Sequence, residues 1–311
     1  MTADEDHWVA RRRLLVIAGK GGVGRSTVAA AVGVGAARRG LRTVVVEVAG
    51  RGDVARALGR EPADGLSERA IYPGLSHVAI DRRSALEEYL RYEVPGLVPA
   101  RLLARSRAFE LFMEATPGMS ELLTIGKGWE LAQRPRHKRD VSQYDLVVLD
   151  GPASGELVGL LAAPRTFAAI ARVGPVARQA EAIDGALRDP RSVGIVVVAT
   201  PEQMPVSEAL ALRDRLASEF GIALEGAVVN RMFPSRFTAE EAAALASVPE
   251  DPAFRSARWF HGRARAQRTQ LARLRRGLAG VRCMALPFMF GGEVDRAGIE
   301  RFADLLGRWL P

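Results

Sequence analysis

A glycine-rich run near the start of the chain carries the residue types that bind phosphate. It reads Gly19-Lys20-Gly21-Gly22-Val23-Gly24-Arg25-Ser26-Thr27. Glycines leave room for successive backbone N–H groups to point into one concavity, and the N-terminus of a following helix adds partial positive charge. The Ser26 hydroxyl is suited to the Mg²⁺ ion that accompanies nucleotide phosphates. The run therefore predicts a phosphate-binding loop of the deviant Walker A type, in which all nine residues surround a nucleotide.

The second candidate is a carboxylate at the end of an apolar run. Residues 145–150 have the pattern of a strand buried on both faces, and Asp150 is the last of them. A strand-end aspartate near a phosphate-binding loop can hold Mg²⁺ through water, as a Walker B residue does. The alternative is that Asp150 only caps the turn after the strand. Together with the loop, the pattern predicts the magnesium role.

Elements that alternate along the chain must position these residues. Predicted buried strands cover residues 14–18, 43–48, 75–80, 145–150, 193–200 and 227–230. Predicted helices cover residues 26–39, 84–92, 108–114, 208–220 and 242–246. Gly40 is expected to end the first helix in a left-handed conformation, and residues 238–241 have capping-box spacing. This alternation predicts an α/β fold with a doubly wound, mostly parallel sheet, whose ligands lie at the carboxyl ends of the strands.

Composition indicates a globular protein without a disulfide framework. The 311 residues are 48% hydrophobic and 26% charged. The single cysteine, Cys283, excludes a disulfide framework and a CxxC zinc clasp within the chain. No apolar run approaches the roughly 18 residues of a transmembrane helix, and residues 1–7 are acidic, unlike a secretory signal. These features predict a cytoplasmic protein.

The net charge of +8 comes largely from arginine. Its densest cluster, residues 255–276, spaces the charges as a solvated helix face would. The alternative is a surface that binds an acidic partner, nucleic acid or anionic lipid. We do not expect nucleic-acid binding, whereas a peripheral membrane contact stays open.

Four segments together resemble the ArsA/GET-type ATPases. They are the loop at 19–27, Asp150-Gly-Pro-Ala-Ser-Gly155, Leu160-Leu-Ala-Ala-Pro-Arg-Thr-Phe167 and Leu286-Pro-Phe-Met-Phe290. Their order and spacing span nearly the whole chain. Within that superfamily the chain is most similar to the actinobacterial anion-transporting-ATPase-like proteins, which occur as paralogous pairs.

The resemblance implies roles for several residues. It implies ATP and Mg²⁺ as cofactors, ATP hydrolysis as the activity, and a dimer. Lys20 matches the signature lysine, which in this group reaches across the dimer interface to the partner's phosphates and serves catalysis. Asn230, Pro287 and Phe288 match positions that hold adenine. The implied partners are a second copy of the chain or a paralogous ATPase, and a protein client or membrane-associated partner.

The chain departs from the family pattern after Asp150, where Glu156 replaces the usual histidine. Two further departures concern the phosphates directly. The lysine that usually precedes Ser-Thr is Arg25 here, and a planar guanidinium does not replace a compact ammonium in tight phosphate geometry. Glu47 fits the first acidic position after the second strand, as a catalytic and magnesium-binding residue. Ala49, however, stands where the water-positioning aspartate is expected. Asp53 either substitutes for that aspartate or caps the next helix.

Because phosphoryl transfer depends on positioning and charge, these replacements are expected to slow hydrolysis more than they weaken binding. The first hypothesis is therefore a dimeric ATPase whose switch loops respond to nucleotide and act on a protein or membrane-associated partner. The second is a degenerate, non-hydrolysing regulatory subunit paired with an active paralogue. A partitioning ATPase of the ParA/MinD sort is the third.

Residues 81–139 carry little strand signal, and we interpret them as a helical insertion within a single domain of residues 1–311. In GET-type ATPases such a subdomain forms a groove for a client transmembrane helix. The apolar residues in question are Phe109, Leu111, Phe112, Met113, Met119, Leu122, Leu123 and Ile125. Two methionines are too few to indicate a client groove, so core packing is the prediction. Arsenite binding is not expected, because Cys283 stands alone.

Overall fold

The computed structural model describes residues 12–48, 52–93, 116, 118–134, 136, 142–171, 173–248 and 251–307. The strands are β1 Leu14–Gly19, β2 Thr43–Glu47, β3 Arg69–Tyr72, β4 Leu75–Ala79, β5 Leu146–Ala153, β6 Val193–Ala199, β7 Gly226–Met232 and β8 Arg282–Pro287. The helices are α1 Arg25–Arg38, α2 Asp53–Ala57, α3 Arg82–Glu93, α4 Met119–Leu131, α5 Ser154–Ala171, α6 Pro175–Arg188, α7 Gln203–Arg215, α8 Ala239–Ser247, α9 Pro252–Gly277 and α10 Arg296–Leu306. A short π-helix, Leu216–Phe220, continues α7.

The described strands form one sheet in the order β3-β4-β2-β5-β1-β6-β7-β8. β3 pairs with β4 in antiparallel fashion, and the other neighbouring strands run parallel. The predicted doubly wound, mostly parallel α/β fold is therefore confirmed. β1 lies in the interior between β5 and β6, where the strand order reverses. In open sheets of this kind ligands bind beyond the carboxyl ends of the strands at that point, and here the glycine-rich run begins there.

Helices cover both faces of the sheet because alternate residues of each strand point to opposite sides. Leu15 and Ile17 of β1 belong to one core layer, together with residues of α1, α2 and α10. Leu14 and Val16 belong to the other layer, with residues of α4, α5, α6, α7 and α9. Each large apolar side chain buried in this way contributes roughly 1.5–3 kcal/mol. The two layers hold β1 rigidly, and the loop that follows it starts from a fixed point.

The predicted strands, and the predicted helices that fall within the described residues, agree with the structure to within a few residues at most ends. The predicted helix at 108–114 lies outside the described residues. Gly40 has a φ of 83°, as expected for a left-handed end of α1. The capping box is present, since Thr238 Oγ1 accepts from the Glu241 N–H and the Glu241 carboxylate accepts from the Thr238 N–H. Strands β3 and β8 were not predicted. Both are edge strands with several exposed or half-exposed residues, so they lack the continuous apolar run of a buried strand.

Helices α3 and α4 lie within the predicted helical insertion, whose existence as a subdomain stays a prediction. Leu122, Leu123 and Ile125 of α4 are buried in the core, and Met119 packs against it, as core packing requires. The remaining four apolar residues, Phe109, Leu111, Phe112 and Met113, fall outside the described residues. Within the described ranges, no helix combines the length and the hydropathy that a membrane span needs.

A buried ion network ties α4 to the segments around β3 and β5. Arg136 is 4% exposed, and its guanidinium donates to Glu68 at 2.8 Å and to Glu130 at 3.0 Å. Lys127 pairs with Glu130 at 2.9 Å, and the Tyr144 hydroxyl donates to Glu68 at 2.7 Å. Burial alone would raise the pKa of Glu68 and of Glu130, but hydrogen bonds led by those from Arg136 outweigh it and hold both pKa values below normal.

The change Arg136→Met is expected to lower the free energy of unfolding by about 3 kcal/mol, because it leaves two partly buried carboxylates without their main partner. A carboxylate with a depressed folded-state pKa stabilises the fold above its unfolded pKa of roughly 4.3, and this is lost as the pH falls through the folded value. The free energy of unfolding of the wild type should therefore drop on acidification below about pH 5. That of Arg136→Met should drop less over the same pH range, or rise.

Urea unfolding at pH 7 and pH 4 measures both effects. The control is Arg188→Met, which breaks an exposed pair with Asp184 and is expected to cost under about 1 kcal/mol. Equal losses in the two variants at pH 7 would contradict the assignment.

Candidate functional site

The glycine-rich run forms a tight loop between β1 and α1. Gly19 and Gly24 have φ values of 156° and 93°, which favour glycine. A Cβ on Gly19 would lie 2.3 Å from the Val198 carbonyl oxygen, and one on Gly24 would lie 2.2 Å from the Asn230 amide nitrogen. In the described part of the chain no side chain caps the start of α1, so the first N–H groups of this helix are available to an anion.

Arg25, the first residue of α1, is tied to the end of β5. Its Nη1 donates to the Gly151 carbonyl oxygen at 2.5 Å. Gly151 follows Asp150 directly, and a Cβ there would lie 2.8 Å from the Ile17 carbonyl oxygen. The guanidinium therefore bridges the glycine loop and the strand that carries the acidic residue.

Asp150 lies beside the loop in the carboxyl half of β5 and is 9% exposed. The strand continues to Ala153, so the prediction that it ends at Asp150 is wrong. Burial raises the pKa of Asp150 to about 6, against a hydrogen bond from Ser26 that lowers it, and the nearby Glu47 charge raises it further. Glu47 is the neighbour of Asp150 in the pairing of β2 with β5. Two neighbouring carboxylates repel each other when both are ionised, and burial adds to the cost. A cation bound between them is therefore favourable.

Mg²⁺ fits this donor set. It prefers hard oxygen ligands and usually keeps several waters, and Ser26 and Asp150 offer a hydroxyl and a carboxylate at one point. Among the described residues no three metal-ligating side chains of the His, Cys, Asp or Glu type cluster together. The remaining ligands would thus be water and phosphate oxygens, as in phosphate-binding loops generally.

Glu47 is buried at the end of β2 with both carboxylate oxygens hydrogen-bonded. Oε1 accepts from the Asp53 N–H at 2.8 Å, and Oε2 lies 2.5 Å from His77 Nε2. His77 is fully buried on β4, and its Nδ1 accepts from the Ala63 N–H at 3.2 Å. Because Nδ1 is an acceptor, the neutral ring carries its proton on Nε2 and donates it to Glu47. The pair fixes the start of α2 against the sheet.

Asp53 is the first residue of α2, with Gly52 at the N-cap position, so the alternative in which Asp53 caps this helix is wrong. Its carboxylate is exposed and pairs with Arg56 at 2.9 Å. It is still close enough to raise the pKa of Asp150. Ala49 falls outside the described residues.

Lys20 points away from the loop toward α7. Its Nζ forms an ion pair with Glu208, whose second oxygen accepts from the Ser154 hydroxyl at 3.4 Å. The signature lysine is therefore bound within its own chain in this structure. Glu208 has no signal in the sequence that would distinguish it from other surface carboxylates on a helix.

Asn230 joins the end of β7 to the loop. It is 4% exposed, its amide donates to the Val23 carbonyl oxygen at 3.0 Å, and its Oδ1 accepts from the Arg231 N–H at 2.9 Å. Pro287 is the last residue of β8, and the Phe288 N–H donates to the Met232 carbonyl oxygen at 2.8 Å. Asn230 thus lies behind the glycine loop, while Phe288 lies farther along the edge of the sheet.

An open cleft of about 370 Å³ runs from the glycine loop to Phe288. Segments that follow β1, β6, β7 and β8 line it, together with α9. The lining residues are Lys20, Gly21, Gly22, Val23, Thr200, Pro201, Glu202, Met204, Pro205, Arg231, Phe233, Arg263, Gln267 and Phe288. The glycine loop forms one end, and Phe233 and Phe288, whose rings meet edge to face at 5.0 Å, form the other. A polar end and an aromatic end in one cleft match a molecule with a phosphate and a base.

Comparison with known proteins agrees with this geometry. The family model of anion-transporting ATPases matches residues 12–174 of the chain. The ATPase BagA of Mycobacterium tuberculosis is 30% identical over 240 residues, which cover 75% of this chain and 69% of BagA. The arsenical pump-driving ATPase of Escherichia coli is 23% identical over 255 residues, which cover 75% of this chain and 41% of that protein.

The family match includes the glycine loop, the buried Glu47 and Asp150. The expected resemblance is confirmed, and the P-loop fold around β1 agrees with it. This chain belongs to the anion-transporting ATPase family.

Proposed function

We propose that this chain binds ATP with Mg²⁺ and uses the nucleotide to change the conformation of the loops around it. The observation that carries the proposal is the glycine loop between β1 and α1, where Gly19 and Gly24 leave no space for a side chain. Such a loop exposes N–H groups in a small concavity at a helix N-terminus, where phosphate binds. The acidic and hydroxyl groups that Mg²⁺ needs lie directly beside it.

We assign different parts of the nucleotide to different residues along the cleft. Loop N–H groups hold the β- and γ-phosphates, and Ser26 and Asp150 hold Mg²⁺, which neutralises charge on the phosphate oxygens. Asn230, Pro287 and Phe288 remain the candidates for the adenine contact. Asn230 acts through the loop as well, since its amide already bonds to Val23.

Glu47 is better placed to position the switch segment than to bind the ion directly. Both of its oxygens have partners within the chain, one of them the N–H at the start of α2. Asp53 follows that contact, and its exposed carboxylate, which pairs with Arg56 in this structure, is the candidate for orienting an attacking water. We propose that nucleotide binding moves α2 through this contact.

We propose that Arg25 slows hydrolysis, because it stands where related ATPases have a lysine. The variant Arg25→Lys tests this role. Arg25 is held by the Gly151 carbonyl, and a lysine would instead place a compact ammonium at the phosphates. Phosphate release by the variant should exceed that of the wild type by about tenfold or more, with a smaller change in ATP affinity. Arg236→Lys, on an exposed arginine outside the cleft, is the matched control. A variant no faster than the wild type would contradict the role of Arg25.

A non-hydrolysing subunit is the second candidate function, and the bond from Arg25 to Gly151 favours it. A guanidinium engaged in this way is not free to follow the γ-phosphate as charge develops on it. Absence of turnover in the wild type with intact ATP binding would support this candidate, and robust wild-type turnover would exclude it.

We propose that the chain forms a dimer, because Lys20 matches the lysine that reaches a partner's phosphates in this family. In the separate chain Lys20 pairs with Glu208, and to reach a partner's phosphates it must leave that pair. Sedimentation of the chain with and without Mg²⁺ and ATP tests the proposal, with dimers expected only in their presence. The partner is a second copy or a paralogue, and the client is a protein or membrane-associated molecule. The arsenical cargo in the names of the relatives is not proposed, since the sequence has a single cysteine.

A further inference from the structure

Arg231 has an unusual backbone at the edge of the cleft. Its φ is 63°. Among the described residues, no other non-glycine residue has a positive φ. The left-handed conformation costs free energy for any residue with a Cβ, so it persists only where surrounding contacts impose it. The pairing of β7 with β8 is irregular at the same place, between Val229 and Met232.

Two buried amides impose this conformation. Asn230 Oδ1 accepts from the Arg231 N–H, and Gln267 Nε2 donates to the Arg231 carbonyl oxygen at 3.2 Å. Gln267 Oε1 also accepts from the Phe233 N–H at 2.7 Å. Gln267 belongs to α9 and is 5% exposed. Its side chain is hydrogen-bonded to the backbone at both ends of the turn at 231–233. The turn is held from behind by a residue 36 positions away in the sequence.

Arg231 is exposed and lines the cleft. The two other cations of the cleft have carboxylate partners, since Lys20 pairs with Glu208 and Arg263 pairs with Glu202. Within the described part of the chain Arg231 has no ion pair of its own. It lies next in sequence to the residue that bonds the glycine loop, and two residues before the aromatic end at Phe233.

We propose that Arg231 is a nucleotide-contacting residue whose guanidinium packs on the face of the purine base, and that Gln267 is its positioning residue. The inference rests on the proposed ATP binding and adds the group that recognises the base. A planar guanidinium stacks well on aromatic rings, whereas the phosphates already have the loop N–H groups and the start of α1. The strained turn places the guanidinium between the phosphate end and the aromatic end.

The experiment uses Arg231→Gly, because glycine adopts a positive φ without strain. Calorimetry measures binding of ATP, of ADP and of inorganic tripolyphosphate, which has no base, each with Mg²⁺. The melting temperature should stay the same or rise, and affinity for ATP and ADP should each fall by about tenfold. Tripolyphosphate affinity should not change. Arg191→Gly, at an exposed arginine in the turn before β6 and so at the opposite edge of the sheet, is the control and should bind all three as the wild type does.

The outcomes separate the inference from the proposed function. Wild-type chain that fails to bind ATP would remove the proposed function itself. Wild-type binding of ATP with unchanged affinity in Arg231→Gly would overturn the inference alone. An equal loss for tripolyphosphate and ATP would also overturn it, since Arg231 would then contact phosphate.

The positioning role of Gln267 has its own test. Gln267→Leu removes both clasping hydrogen bonds and should weaken ATP about as much as Arg231→Gly does, again without affecting tripolyphosphate. In the double variant the two losses should not add, because both act through one contact. Additive losses would show that Gln267 does not act through Arg231.

Discussion

Gly24→Val is expected to weaken ATP binding on the order of 100-fold, which is about 2.7 kcal/mol. A Cβ at this position would lie 2.2 Å from the Asn230 amide, and β-branched residues are strongly disfavoured at a φ of 93°. The loop must shift to relieve both, and its N–H groups then no longer converge on one phosphate. Calorimetry with Mg²⁺ and ATP measures the change.

Gly155→Ala is the matched control for this prediction. A Cβ on Gly155, at the first turn of α5, meets no atom within 4 Å. Its affinity for ATP should equal that of the wild type. Gly24→Ala, which is less bulky, should be intermediate, and this keeps the prediction testable when the valine variant is poorly folded. Wild-type affinity in both Gly24 variants would contradict a nucleotide site in the loop.

His77→Leu is expected to destabilise the protein by about 3–5 kcal/mol, because it leaves the buried Glu47 carboxylate without its hydrogen-bond donor. The Glu47 carboxylate then loses the Nε2–H donor, and the Ala63 N–H loses its acceptor, although leucine fills a similar space. Urea unfolding monitored by circular dichroism gives the free energy of unfolding.

A second substitution separates charge from packing at this pair. In the His77→Leu background, Glu47→Gln removes the unpaired charge but keeps an oxygen for the Asp53 N–H. It should therefore recover part of the lost stability, although the same change in the wild type is expected to be destabilising. A loss below about 1 kcal/mol in His77→Leu, or no recovery in the double variant, would show that the pair is not important for stability.

Local patterns predicted the elements that form the proposed phosphate site. A continuous apolar run identifies β1 and β5, and the glycines between β1 and α1 have one clear use. The same run predicted Asp150 in the carboxyl half of β5, but it missed that the strand continues three residues further, to Ala153. These features depend on neighbours in sequence, so no knowledge of the sheet order was needed.

The contacts that the sequence did not predict join distant segments. His77 is a polar residue inside an otherwise apolar strand, but its partner Glu47 becomes evident only once β4 is known to lie beside β2. Arg25 bonds to a carbonyl 126 residues away, and Gln267 clasps a turn on another element. Lys20 was expected to face a partner chain, yet it has a carboxylate within its own chain. Each of these depends on the order of strands, which periodicity does not specify.

Binding of ATP to the purified wild-type chain is the most direct test of the proposed function. Calorimetric titration should show one saturable site per chain, with tighter binding when Mg²⁺ is present than when it is chelated. The Mg²⁺ dependence should be lost in Asp150→Asn, because the carboxylate beside Ser26 is then gone. No heat of binding at high micromolar ATP, with or without Mg²⁺, would contradict the assignment of the glycine loop as a nucleotide site.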